Sequence, residues 1–207
     1  MKTTLLIYFI YTISIFNAFS KDVRSITLGL KIQDISTKGF TNFVCHENNK
    51  VISSWDNFNE CSKNSNRYYL IRFEYDERFA FNENYEGTQI AGHPVIIYLA
   101  IDKNSVIQEI NAYTDPSAPF YFKKQAHLLH LRVYAKYGSN GWNCKNKPKK
   151  NDHIKIGKNY INRVCIKKND KKLIKLETKF YFNNNKKNEK NLVSSSRLQL
   201  KNQPTIN

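Results

Sequence analysis

Between His93 and Gly138 the chain spells out a strand, a turn, a second strand and a helix in succession, and any fold it adopts must accommodate that unit. Val95-Ile-Ile-Tyr-Leu-Ala-Ile101 is apolar on both faces and rich in β-branched residues, the pattern of a central strand covered on each side. Asp102-Lys103-Asn104-Ser105 supplies turn chemistry and Val106 to Thr114 resumes strand character, so the two runs predict a β-hairpin. Asp115-Pro116 then offers an N-cap with proline at the first helical position, where its missing N–H costs nothing. Phe122, Ala126, Leu129, Val133 and Tyr137 recur at spacings of three and four, and Gly138 stands where a helix would stop. About five turns of helix, laying that stripe on the sheet, are expected.

Other segments carry the period of strands. Arg67 to Asp76 alternates, with Tyr69, Ile71, Phe73 and Tyr75 on one face and Arg72, Glu74 and Asp76 on the other. Shorter strands are expected over Ile26 to Ile32, Phe40 to Cys45, Val51 to Trp55 and Leu173 to Phe182. The last reads as an edge or near-edge strand whose lysines protect its outer side.

Met1 to Ser20 has one positive charge at Lys2, an apolar run from Leu5 to Phe16 and small residues at Ala18 and Ser20, which reads as a cleavable secretory signal. Four cysteines follow, Cys45, Cys61, Cys144 and Cys165, and an even count in an exported chain favours two disulfides. Three pairings are open; Cys45–Cys61 and Cys144–Cys165 are preferred because each closes a short loop. The absence of any Asn-x-Ser/Thr acceptor in so Asn-rich a chain favours bacterial export. The expected organisation is a signal peptide over 1–20, a single α+β domain with a basic C-terminal flank over 21–182, and a disordered polar tail over 183–207. The expected fold is an antiparallel sheet with one long helix packed on it and two disulfides.

Charge is unevenly placed. The chain carries 33 Lys+Arg against 17 Asp+Glu, net +16. Lys145 to Asn207 holds 18 basic and 4 acidic residues, 18 − 4 = +14, so the remainder is nearly balanced. Lys167, Lys168, Lys171 and Lys172 are the candidate anion-binding residues, since a folded basic face presents its charges in fixed geometry. Lysine dominates and arginine is scarce in this region, so bidentate recognition is not suggested there.

Candidates for other chemistry are few. His127 and His130 stand three apart on the helix, within reach of a shared metal, but no H-E-x-x-H pattern accompanies them. Glu74, Asp76 and Glu77 cluster at a strand end, where paired carboxylates can serve as acid and base, and His93 precedes the central strand. No G-x-S-x-G is present, and 7 glycines leave little material for a phosphate-cradling loop.

The run Gly92-His-Pro-Val-Ile-Ile-Tyr-Leu-Ala-Ile-Asp-Lys-Asn-Ser-Val-Ile-Gln-Glu-Ile-Asn-Ala-Tyr-Thr114, with the helix to Tyr137, resembles the start of a TonB C-terminal domain, a periplasmic protein-interaction module. Asn104-Ser105 stand where that family has a turn glycine, and cysteines flank the unit. Leu28-Gly29-Leu30, Trp55 ahead of Cys61, and Gly141-Trp142-Asn143-Cys144 are together similar to uncharacterised exported proteins of alphaproteobacteria, which implies a compartment and no activity. The expectation is a periplasmic or secreted, non-enzymatic envelope protein that binds a protein partner or an anionic surface component. The alternative is a small exported hydrolase or metal-dependent enzyme using His93, His127, His130 or the Glu74/Asp76 pair. No cofactor, no metal and no transmembrane segment in the mature chain are expected, and nucleic acid is disfavoured because export removes most of it from reach.

Overall fold

A computed structural model describes residues 22–76, 78, 88–169, 171–184 and 190–203; the signal-peptide reading of 1–20 and the candidate Glu77 fall outside them. The strands are β1 Phe40–Cys45, β2 Tyr69–Tyr75, β3 Gln89–Ile90, β4 His93–Ile101, β5 Ile107–Thr114, β6 Asn143–Asn146, β7 His153–Ile154, β8 Ile161–Lys168, β9 Lys172–Asn184 and β10 Lys190–Asn202. All pair antiparallel in a sheet ordered β1-β2-β4-β5-β10-β9-β8-β6, with β3 beside β4 and β7 beside β9. The helical run comprises α1 Phe120–Gln125, a 3₁₀ turn Ala126–Leu128 and α2 Leu129–Tyr137. The antiparallel sheet, the helix and both disulfides are as expected, but one helix against this many strands makes the molecule more sheet-rich than an even α+β balance.

The largest correction concerns the C-terminus. Within 183–207, expected to be a disordered tail, β10 lies in the middle of the sheet, between β5 and β9. Leu198 and Leu200 point into the core beside Leu176 and Ile174. The apolar signal is weak because Ser194 and Ser196 fill the same face. Their hydroxyls have specific partners: Ser194 Oγ donates to the Lys124 carbonyl (3.2 Å) and Ser196 Oγ donates to the His127 carbonyl (3.0 Å). Short polar side chains let the helix backbone lie close to β10 and satisfy carbonyls around the 3₁₀ turn. β9 is likewise an interior strand, and Lys175 and Lys179 stand on its open face instead of guarding an edge.

Two local expectations shift for identifiable reasons. Asp115 N–H still bonds the Pro94 carbonyl (2.9 Å), and the Asp115 carboxylate accepts from Ser117 N–H (2.7 Å), so the chain turns there. The helix starts at Phe120, after Pro119 in extended geometry. The Ile26–Ile32 and Val51–Trp55 segments form isolated bridges and 3₁₀ turns in place of strands.

One face of the sheet is covered. Ile71, Phe73, Ile97, Leu99, Ile110, Leu198 and Leu176 pack against Leu129 and Val133 of the helix and against Val23, Ile26, Ile32 and Trp55 from the connecting segments. Trp55 is 0% exposed; its ring centroid lies 4.8 Å from that of Phe40, 5.2 Å from Phe43 and 5.8 Å from Phe73. The Cys45–Cys61 disulfide ties β1 to the end of the turn carrying Trp55, and Cys144–Cys165 joins directly opposed residues of β6 and β8. Asp22 is only 3% exposed. Its carboxylate accepts from Leu28 N–H (3.0 Å) and from Lys172 Nζ (2.7 and 2.8 Å), and Lys136 Nζ donates to its carbonyl. These bonds clasp the N-terminal segment to β9 and the helix.

Candidate binding groove

Because side chains alternate along a strand, the opposite face of the sheet displays the other half of each strand's residues. Register places Arg72 of β2 against Tyr98 of β4, and Tyr113 of β5 against Arg197 of β10. Four adjacent strands thus present Arg, Tyr, Tyr and Arg in sequence. The tyrosine rings are stacked with centroids 5.7 Å apart and planes 14° from parallel, and their hydroxyls are 3.0 Å apart. The His46 ring meets Tyr98 edge-on at 4.7 Å. A groove of about 490 Å³ runs along this face past Tyr98, Asn111, Tyr113, Glu177, Lys179 and Arg197. Arg72 lines an adjoining hollow of about 540 Å³ with Glu74 and Ile96.

The charges on this face do not cancel locally. Glu177 is held by Lys147 at 2.6 Å and Lys179 at 3.4 Å, and Glu109 by Lys201 at 2.8 Å. Arg72 and Arg197 have no ion pair among the described residues. Among the described residues, the Arg72 Nε is buried without a hydrogen-bond partner, as is Asn111 Oδ1 in a residue only 8% exposed. Such atoms carry a desolvation cost. Burial raises the Tyr113 phenol well above its ordinary value; the bond to Tyr98 acts in the same sense, and Arg197 and Arg72 act against it. The Tyr113 hydroxyl therefore keeps its proton at neutral pH. One proton is used between the two hydroxyls and the other is left to donate outward.

The lysines singled out from the sequence divide into two pairs. Lys167 Nζ donates to the Tyr137 carbonyl (2.5 Å) and the Asn140 carbonyl (2.8 Å) at the helix C-terminus, and Lys172 is engaged with Asp22. Lys168 and Lys171 are exposed at the β8–β9 turn. Glu74 accepts from Asn42 Nδ2 (2.7 Å), while Asp76 pairs with Arg78 at 2.6 Å, a bond that holds its carboxyl below the usual range.

His127 and His130 lie close to each other, and each ring is engaged within the fold. His127 lies 3.9 Å over the Phe180 ring and its Nδ1 is 3.1 Å from Ser194 Oγ. His130 Nδ1 donates to the His127 carbonyl at 2.5 Å and its ring meets Tyr134 edge-on at 5.7 Å. Among the described residues no three His, Cys, Asp or Glu are grouped so as to hold a metal ion. Burial is the main cause that lowers the pKa of His93, His127 and His130, with Arg132, His130 and Arg163 respectively adding to it. Below about pH 6.5 the unfolded chain therefore takes up protons that the folded chain resists, so stability is present above that pH and lost as pH falls through it. The melting temperature is expected to drop between about pH 7 and about pH 5, before carboxylates near pH 4 contribute. His130→Gln should flatten that drop; a melting temperature that is constant or rises on acidification would contradict the buried histidine environments.

Arg72, Tyr98, Tyr113 and Arg197 were not grouped by their spacing in the sequence. Tyr98 reads there as part of an apolar strand and Arg197 as part of a tail; only strand order unites them. The chain matches no protein-family model, no curated protein and no solved structure.

Proposed function

We propose that this chain is an exported, non-enzymatic binding protein that holds an anionic component of its surroundings in the groove on the open face of the sheet. The observation that carries this reading is the pair of arginines without carboxylate partners, set on either side of a hydrogen-bonded tyrosine pair. Two disulfides fit an oxidising compartment, and no helix among the described residues is long and apolar enough to cross a membrane. Arginine is suited to the task because its planar fork of donors matches oxyanions in two directions at once.

Binding to two polyanion probes, polyphosphate and dextran sulfate, tests the reading at low and high salt. Substituting Arg72→Gln and Arg197→Gln together should weaken binding about tenfold or more, since hydrogen bonds to charged groups contribute about 1.5–3 kcal/mol and 1.4 kcal/mol is tenfold. Lys168→Gln with Lys171→Gln should change it by less than about threefold, as expected for exposed charges. The reverse ranking would move the function to the β8–β9 turn, and indifference to both pairs would remove the groove from the account.

A further inference from the structure

The donors around the tyrosine pair have a directionality that narrows the ligand. Tyr98 and Tyr113 stack on each other, so their hydroxyls, not their ring faces, are what the pair offers to a ligand. β2 and β10 are separated by three strand spacings, about 14 Å at about 4.8 Å each, and both arginines act electrostatically on the same Tyr113 hydroxyl. The register thus sets a positive residue on the strand to either side of the tyrosine pair, with one O–H left to donate between them. A carboxylate has two oxygens in one plane and satisfies one such fork. A tetrahedral oxyanion has oxygens directed to both sides and toward the hydroxyl as well. Glu177 faces Arg197 across β9 and β10, but Lys147 and Lys179 neutralise it and it does not oppose an anion there.

We infer that the Tyr98–Tyr113 hydroxyl pair, bracketed by Arg72 and Arg197, is a seat for a phosphate or sulfate ester group, with Asn111 Oδ1 buried and unpartnered in the same groove for a hydroxyl of the molecule that carries it. The inference rests on the groove being the binding surface and adds the chemistry of the bound group. Asn111 supplies an independent sign of a ligand: its Nδ2 is 3.5 Å from Glu109 Oε2 and its Oδ1 has no donor among the described residues. A groove of about 490 Å³ accommodates more than the oxyanion alone.

Calorimetric titration of the full chain with inorganic phosphate, inorganic sulfate and acetate reads the seat directly. Saturable binding of phosphate or sulfate, with acetate at least tenfold weaker, is the expected result; the tighter of the two oxyanions identifies the ester. Tyr113→Phe should weaken oxyanion binding about fivefold. Arg197→Lys, which keeps the charge and removes the fork, should do the same. Unchanged melting temperatures in these open-face variants separate loss of the seat from loss of the fold. Acetate binding as tightly as the tetrahedral ions, or no binding of either oxyanion, overturns the seat. In the second case, polyanion binding that still depends on Arg72 and Arg197 leaves the groove standing as a binding surface, whereas its loss removes both.

Discussion

A chain stopped after Asn184 will show no cooperative unfolding transition. β10 pairs with β9 from Lys190 to Asn202 and with β5 from Arg197 to Lys201, so its removal strips two ladders at once. The inner edges of β5 and β9 are then left with unpaired backbone groups inside what was the sheet. Leu198 and Leu200 leave the core, at about 1.5–3 kcal/mol each, and the helix loses the serines that receive its backbone. A total stability of about 5–15 kcal/mol cannot absorb these losses together. Thermal melting followed by circular dichroism checks the result. A truncated chain that melts cooperatively near the temperature of the full chain would show that residues beyond Asn184 are dispensable, as a disordered tail is.

Trp55→Ala should lower stability by about 4 kcal/mol, within the range found for large aromatic residues removed from cores. The ring is fully buried among Phe40, Phe43 and Phe73, and its Nε1 donates to the Ile35 carbonyl at 3.1 Å. The alanine variant therefore opens a cavity and orphans an acceptor together. Trp55→Phe keeps most of the ring packing and loses the bond, so about 1–3 kcal/mol is expected for it. The Cys45–Cys61 bridge anchors the segment at its far end and limits how far the cavity can collapse. Urea denaturation with an unchanged slope would report the loss; a decrease of under about 1 kcal/mol for the alanine variant would mean that Trp55 is not at the centre of the aromatic cluster.

The parts of the fold that were legible are those whose signals are local. The β4–β5 hairpin follows from an apolar run, a polar turn and a second run within about twenty residues, and the helix follows from its three-and-four spacing. Both disulfides close short loops. β10 was hidden because its inward face mixes serine with leucine, and those serines make sense only beside a helix about seventy residues earlier in the chain. Lys172 reads as a surface charge until Asp22, separated from it by 150 positions, is placed beside it. The groove was hidden for the same reason: Arg72, Tyr98, Tyr113 and Arg197 come from four strands, and alternation assigns each to a face without saying which strands are neighbours. The basic excess at the C-terminal end pointed toward anions, but two of its four selected lysines are occupied inside the fold.

The central position of β10 has another meaning for folding. Without β10 the sheet divides into two groups of strands, β1-β2-β4-β5 and β9-β8-β6, whose facing borders are both filled by the same 13 residues. The pairing of Arg197 with Tyr113 spans a long loop and is slow to form for that reason. Closure of the whole sheet thus waits for β10, one strand that completes two borders at once.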